Sequence, residues 1–223
     1  IATWTTTPWT LPGNKAMSVN PDFDYDLVEI EIHSSKKSLV VSSKLLEKTL
    51  ERYEIDKFKS LGQVKGKELE GLKCKHPFLD QESLVISSTH VTDEIGTGFV
   101  HTAPAHGLED YEACRDYDFD NSSLVQADGK FSEDVPFVGG KKITEANQIV
   151  VDTLESKNLL MSRNKYRHSF PHCWRHKTPL FFRATPQWFI SMDKNNLLDS
   201  CLKKIDEINW LSLIHISEPT RQS

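Results

Sequence analysis

The sequence has 223 residues, 38% hydrophobic and 26% charged, with a formal net charge of −5. That suits a soluble globular protein of one large domain, or one domain and part of another, with enough chain to bury a core. No apolar run reaches membrane-spanning length, residues 1–30 hold no signal-peptide pattern, and the bulk charge does not mark a nucleic-acid binder.

In chain order, residues 1–7 are β-branched and aromatic, which predicts a strand stopped by Pro8. Residues 8–14, with Pro12 and Gly13, read as a turn-rich loop. Residues 25–32 alternate as a half-buried strand with Leu27 out of phase, and residues 39–41 look like its partner. Leu45, Leu46, Thr49, Leu50 and Tyr53 recur at helical spacing. Short strands follow at 58–64, 83–87 and 96–102, then a helix from Leu108 to about Tyr117. Ala146, Ile149, Val150, Thr153 and Leu154 define an amphipathic helix with Thr144 as its N-cap. Strands are expected near Tyr166 and over 180–183, and a last helix over 197–205. Many short strands with a few helices predict a mixed α/β fold: a β-barrel or strongly bent sheet decorated by helices.

Cys74, Cys114, Cys173 and Cys201 form no Cys-x-x-Cys pair, so neither a disulfide framework nor a thiolate zinc site is indicated, and a reducing compartment is expected. Charge is uneven. Between Asp93 and Asp134 stand eleven acids and two bases; between Met161 and Arg183 stand six Lys or Arg, three His and no acid. The second stretch suits phosphates or simply a solvated face. Residues 211–221, LSLIHISEPTR, resemble the conceptual translation of a sequencing-library adapter. Residues 211–223 are therefore read as adapter-derived, with the native coding sequence ending near Trp210.

Two loops hold chemistry-bearing residues. In WTTTPWTLP (residues 4–12) a row of hydroxyls lies between two tryptophans. Such hydroxyls hold a water or a polar substrate, although Thr is also simply a good strand residue. In GTGFVHTAPAHGLEDY (residues 96–111), His101 closes a strand and Asp110 falls in the first turn of a helix. A carboxylate there either favours the helix start or aims a fixed charge at a cation. His101, His106 and Asp110 also admit a metal-dependent hydrolase, although the spacing is not that of a zincin helix. HCWRH (residues 172–176) lacks the partner pair of a zinc knuckle.

Together the motifs resemble the editing domain of class I isoleucyl-tRNA synthetases, of bacterial or organellar type. TWTTTPWTLPGN (residues 3–14) resembles that family's threonine-rich motif and residues 96–111 its second editing motif. FPHCWRHKTPLFFRATPQWFISM (residues 170–192) resembles the segment leading back to the catalytic core. The resemblance implies an editing domain over 1–160 and a connecting segment over 161–210. It implies hydrolysis of valyl-tRNA for isoleucine, with the aminoacylated tRNA 3′ end as partner and no cofactor. Asp110 would pair with the α-ammonium. Thr5, Thr6, Thr7, Thr10 and Asn14 would position ester and water, with Thr6, Thr7 and Asp110 as the catalytic set. His101 would limit the size of the side chain admitted. The parent enzyme would ligate isoleucine with ATP and Mg, as a cytoplasmic or organellar monomer away from membranes. The chain has no HIGH-type or KMSKS-type segment and is expected not to activate amino acids itself. Cys173-x-x-His176 in place of Cys-x-x-Cys argues against zinc. A non-catalytic tRNA-binding module using the basic 161–183 stretch is the other alternative.

Overall fold

The structure is a computed structural model and describes residues 1–32, 35–165 and 169–209. Tyr166, Trp210 and the adapter-like tail lie outside the described residues. The chain divides into two compact units, Ile1–Thr185 and Pro186–Ser223. In the second, a short turn at Lys194–Asn196 leads into a helix, Leu197–Asp206, whose Leu198, Leu202 and Ile205 are exposed.

The first unit holds two sheets and four helices: β1 (Ala16–Val19), β2 (Asp24–Ile32), β3 (Ser35–Ser42), α1 (Leu46–Arg52), β4 (Phe58–Lys65), α2 (Gly66–Leu69), β5 (Lys73–Lys75), β6 (Glu82–Ser87), β7 (Phe99–Thr102), α3 (Leu108–Cys114) and α4 (Ile143–Ser156). The helix of the second unit is α5. One sheet has the order β5-β6-β1-β7, the other β3-β2-β4. β1 pairs parallel with β6 and antiparallel with β7. The mixed α/β architecture matches expectation, but among the described residues both sheets are open: the ladders end at β5 and β7 and at β3 and β4. Contacts between the sheets join them. The Tyr25 hydroxyl donates to the Gly98 carbonyl at 2.8 Å, its ring meets Phe99 edge-on, and the Ser42 N–H donates to the Thr97 carbonyl at 2.8 Å. Leu27 is out of phase because the β2–β4 register shifts between Leu27 and Val28.

Residues 1–7 do not form a full strand. They run beside β7 with one parallel bridge, Trp4 to Val100. Residues 8–14 then wind into a 3₁₀ turn over Pro8–Gly13, with Pro8 in its first positions. Three anchors hold this turn. Trp9 is buried against Phe131 and α4, and its N–H donates to Asn147 Oδ1 at 3.1 Å. The Leu11 carbonyl accepts Nε2–H of His76 at 3.0 Å. The His76 Nδ1 in turn accepts the N–H groups of Phe78 and Leu79 at 3.3 and 3.1 Å. His76→Ala leaves all three half-buried backbone groups without this partner. Its expected cost is about 3 kcal/mol, read as a fall in Tm of roughly 10 °C.

The helix at 143–156 begins one residue before the predicted N-cap. Lys142 occupies the cap, and its N–H is taken by Glu145 Oε2 at 3.1 Å, so a reaching carboxylate replaces the hydroxyl of Thr144. No strand forms at 180–183; an isolated bridge joins His172 to Pro179.

Candidate functional site

A cavity of about 180 Å³ is lined by Trp4, Thr5, Thr6, Thr7, Thr10, Val100, His101, His106 and Asp110. Both sequence loops therefore reach one hollow. A larger cleft of about 700 Å³ shares Trp4, Thr5, Thr6 and His101 with it, but its lining includes no carboxylate. The smaller cavity carries the convergent polar groups and is the candidate site.

The glycines flanking Thr97 let the chain approach Trp4 closely behind the cavity. Gly96 and Gly98 have φ of 89° and 83°, and a Cβ on Gly96 would strike the Trp4 ring. Thr97 Oγ1 donates to the Ala2 carbonyl at 2.7 Å, tying residues 1–7 to the strand that carries His101. The hydroxyl row is ordered by short-range bonds. Thr5 Oγ1 accepts the Thr7 N–H at 3.1 Å, and Thr10 Oγ1 donates to the Thr7 carbonyl at 2.8 Å. Thr7 Oγ1 lies 3.5 Å from Thr5 Oγ1 and 3.3 Å from Thr10 Oγ1. Thr6 is exposed, and its hydroxyl makes no hydrogen bond among the described residues.

His101 is 5% exposed, and both ring nitrogens are engaged. Asn14 Nδ2 donates to Nδ1 at 2.7 Å and to the Ala16 carbonyl at 2.8 Å. An acceptor at Nδ1 requires the proton on Nε2, which donates to Thr10 Oγ1 at 2.9 Å. Burial pushes the His101 pKa down to about 3, so the ring is neutral. It is a fixed wall and not a free base. Asn14 itself does not line the cavity; it stands behind His101.

Asp110 is the third residue of α3. It caps no amide of that helix's first turn; its Oδ2 accepts the Ala103 N–H at 2.8 Å. Burial raises its pKa to about 6. Among the described residues no Lys, Arg or His pairs with it. A half-buried carboxylate with one hydrogen bond and no counter-charge suits an incoming cation.

The metal reading meets an obstacle in these bonds. His101 has no lone pair to spare, and His106 Nδ1 faces the Phe182 carbonyl at 3.3 Å. Cys173 Sγ and His176 Nδ1 lie 3.4 Å apart, but no group of three or more His, Cys, Asp or Glu is placed to hold a metal among the described residues. Sequence reasoning passed over Trp4 and Val100 as cavity walls; neither is polar, and no chemical signal marks them.

Burial also lowers the pKa of His76 and His106. A histidine whose folded pKa lies below its unfolded 6.5 stabilises the fold above that pH and withdraws stability as pH falls through it. His101 alone removes about 1.4 kcal/mol per pH unit below 6.5. Asp110 acts oppositely between about 6 and 3.8, but four histidines lowered by burial, His76, His90, His101 and His106, oppose one acid. Tm is expected to hold between pH 8 and 7 and to fall between pH 6.5 and 5. A flat Tm across that window would show that these rings are not buried neutral.

The fold is that of the editing domains of leucyl-tRNA synthetases. The GlLeuRS-CP1 crystal structure matches with a TM-score of 0.55 at 14% identity, covering 73% of this chain and 84% of that one. The P. knowlesi cytosolic leucyl-tRNA synthetase editing domain matches with a TM-score of 0.53 at 16% identity, covering 70% and 80%. By sequence, the chain is homologous to a segment of the isoleucine–tRNA ligases. It is 47% identical over 208 residues to that of Colwellia psychrerythraea and 46% identical over 211 residues to that of Coxiella burnetii. These alignments cover 93% and 95% of this chain and 22% of each relative, so the chain spans about a fifth of the relatives' length. No family model matches. No described helix is long and apolar enough to cross a membrane.

Proposed function

We propose that the chain edits: it hydrolyses valine from tRNA for isoleucine, and the cavity between the threonine row and Asp110 is the hydrolytic site. The observation that carries this is the unpaired, half-buried Asp110 carboxylate in a cavity it shares with a row of hydroxyls and a neutral, doubly held imidazole.

The substrate is an activated ester bearing an α-ammonium, so it needs a held water and orientation more than a strong nucleophile. Asp110 takes the ammonium. Thr6 and Thr7, with Thr5 and Thr10 beside them, hold ester and water. The water oxygen attacks the ester carbonyl, the bond to the ribose oxygen breaks, and that oxygen leaves with a proton as valine is released. His101 serves as a size limit, since its proton position and low pKa exclude it as the base. Asn14 acts through His101.

The remaining assignments follow from the relatives being isoleucine–tRNA ligases. tRNA is the partner. ATP and Mg serve the ligation reaction of the rest of such an enzyme, a cytoplasmic monomer. Residues 1–160 form the editing body and 161–210 the connection toward its catalytic core. A binding module based on the basic 161–183 stretch accounts for none of the buried polar geometry.

The test is release of free amino acid from valyl- and isoleucyl-tRNA for isoleucine by this chain. Valine should be released and isoleucine spared. Binding without release, or equal release of both, would count against the proposal.

A further inference from the structure

We propose that Ser83, on β6 and absent from the lining of the small cavity, is a positioning residue that sets the size limit of the site by fixing, through Asn14, which nitrogen of His101 carries the proton. This rests on the hydrolytic reading above and extends it to a residue outside both motifs.

The argument is one of donors and acceptors. Ser83 is 4% exposed, and its hydroxyl donates to Asn14 Oδ1. An amide oxygen only accepts and an amide nitrogen only donates. With Oδ1 held by Ser83, Nδ2 is left to face the Ala16 carbonyl and His101 Nδ1. His101 must then carry its proton on Nε2 and give it to Thr10 Oγ1, whose own proton goes to the Thr7 carbonyl. One direction of donation therefore runs from β6 to the threonine turn: Ser83, Asn14, His101, Thr10, Thr7. Every member but Thr7 is buried.

Apart from His101, three groups orient the Asn14 amide: Ser83 at Oδ1, and the Ala16 and Thr102 carbonyls at Nδ2, so Ser83 is the side chain among them. Removing that hydroxyl leaves Oδ1 unpaired in the interior. The amide relieves this by turning Oδ1 toward His101, which favours the proton on Nδ1. Nε2 then becomes an acceptor, Thr10 must donate to it, and the Thr7 carbonyl keeps only the bond from the Thr10 N–H. The ring is then held by an amide whose Oδ1 faces the Ala16 carbonyl and by a Thr10 hydroxyl drawn off the Thr7 carbonyl, a weaker clamp at each end, and a wall that yields admits one more methylene.

The experiment compares wild type, Ser83→Ala and Ser83→Thr in this chain by two readings. In nitrogen-15 spectra of the histidine rings at neutral pH, wild-type His101 should be protonated at Nε2. Ser83→Ala should show population of the other tautomer, and Ser83→Thr, which keeps the hydroxyl, should restore the first. Asn14→Asp, an obligate acceptor, supplies the reference signal for the Nδ1 form. In deacylation, the preference for valyl over isoleucyl ester should fall about tenfold in Ser83→Ala, the scale of one methylene, and return in Ser83→Thr. A folded Ser83→Ala with the wild-type His101 spectrum and the wild-type preference would overturn the proposal. Should Ser83→Ala fail to fold by thermal melting, the same readings on Ser83→Cys, close in size but a weaker donor, decide it in the same way. A wild-type chain that never releases valine defeats the hydrolytic reading, while the ring spectra still judge the relay.

Discussion

Asp110→Ala is expected to lower hydrolysis of the valyl ester on the order of a thousandfold, and Asp110→Asn to make the fold more stable at neutral pH. The first effect has two parts. A charge-assisted hydrogen bond to the ammonium is worth roughly 1.5–3 kcal/mol, and a reacting centre misplaced by about an ångström loses about a further hundredfold. The second effect follows from the pKa of about 6. Its folded value lies above the unfolded 3.8, so the fold favours the protonated acid. Relative to acid conditions, stability is lost as pH rises through about 6, up to about 3 kcal/mol. Asp110→Asn keeps the shape and the acceptor for Ala103. It should therefore raise Tm at pH 7.5, with the gain gone near pH 4, yet restore only a small part of the rate. Wild-type hydrolysis should itself decline below about pH 6, as the carboxylate gains its proton. The helix-start reading forecasts the reverse: a stability loss of at most about 1 kcal/mol and an unchanged rate. Deacylation and melting measured on the same preparations separate the two.

His101→Ala should release isoleucine from isoleucyl-tRNA, which the wild type spares, with a gain of ten- to a hundredfold on that ester and a valyl rate within about tenfold of wild type. The reasoning is steric. One methylene in an apolar pocket is worth about 1–3 kcal/mol, a general range for which isoleucine against valine in this enzyme family is itself a standard example. A buried imidazole is larger than that increment. The same change takes one acceptor from Asn14 Nδ2 and the donor from Thr10 Oγ1 and leaves a cavity, so it should cost about 2–4 kcal/mol of stability. Loss of hydrolysis on both esters in a folded protein would instead give His101 an acid–base or ligand role.

The candidate site was more legible in the sequence than the sheet that supports it. Thr5, Thr6, Thr7, His101 and Asp110 stand in two runs where turn formers and reactive side chains cluster, and the fold brings those runs to one cavity. β1, the strand between them, has no such signal. Ala16–Val19 is four residues long and buried throughout, with β6 on one side and β7 on the other, so no alternation marks it. Residues 1–7 had the composition of a strand but form one bridge, because Thr5 bonds locally to the Thr7 N–H and the turn begins at Pro8. Helices were legible wherever one face is buried over several turns, as in α4. Ser83 and His76 were not. Each is a single polar residue without a motif, and each bonds to the turn region near residues 11–14 from more than sixty positions away.

The pairing of β1 bears on when the site comes into being. Ala16 pairs with Leu84 on one side and with Thr102 on the other, so the strand just after the threonine turn takes both neighbours from distant chain. Such contacts must overcome the entropy of closing long loops before they return any stabilisation, which makes them slow to form. The β2–β3 hairpin and α1 are local and can appear early. As the chain leaves the ribosome, the threonines emerge before the strand that carries His101 and the helix that carries Asp110. Until both arrive there is no size filter at all, so hydrolysis and discrimination should be acquired together, late in folding, in one cooperative step.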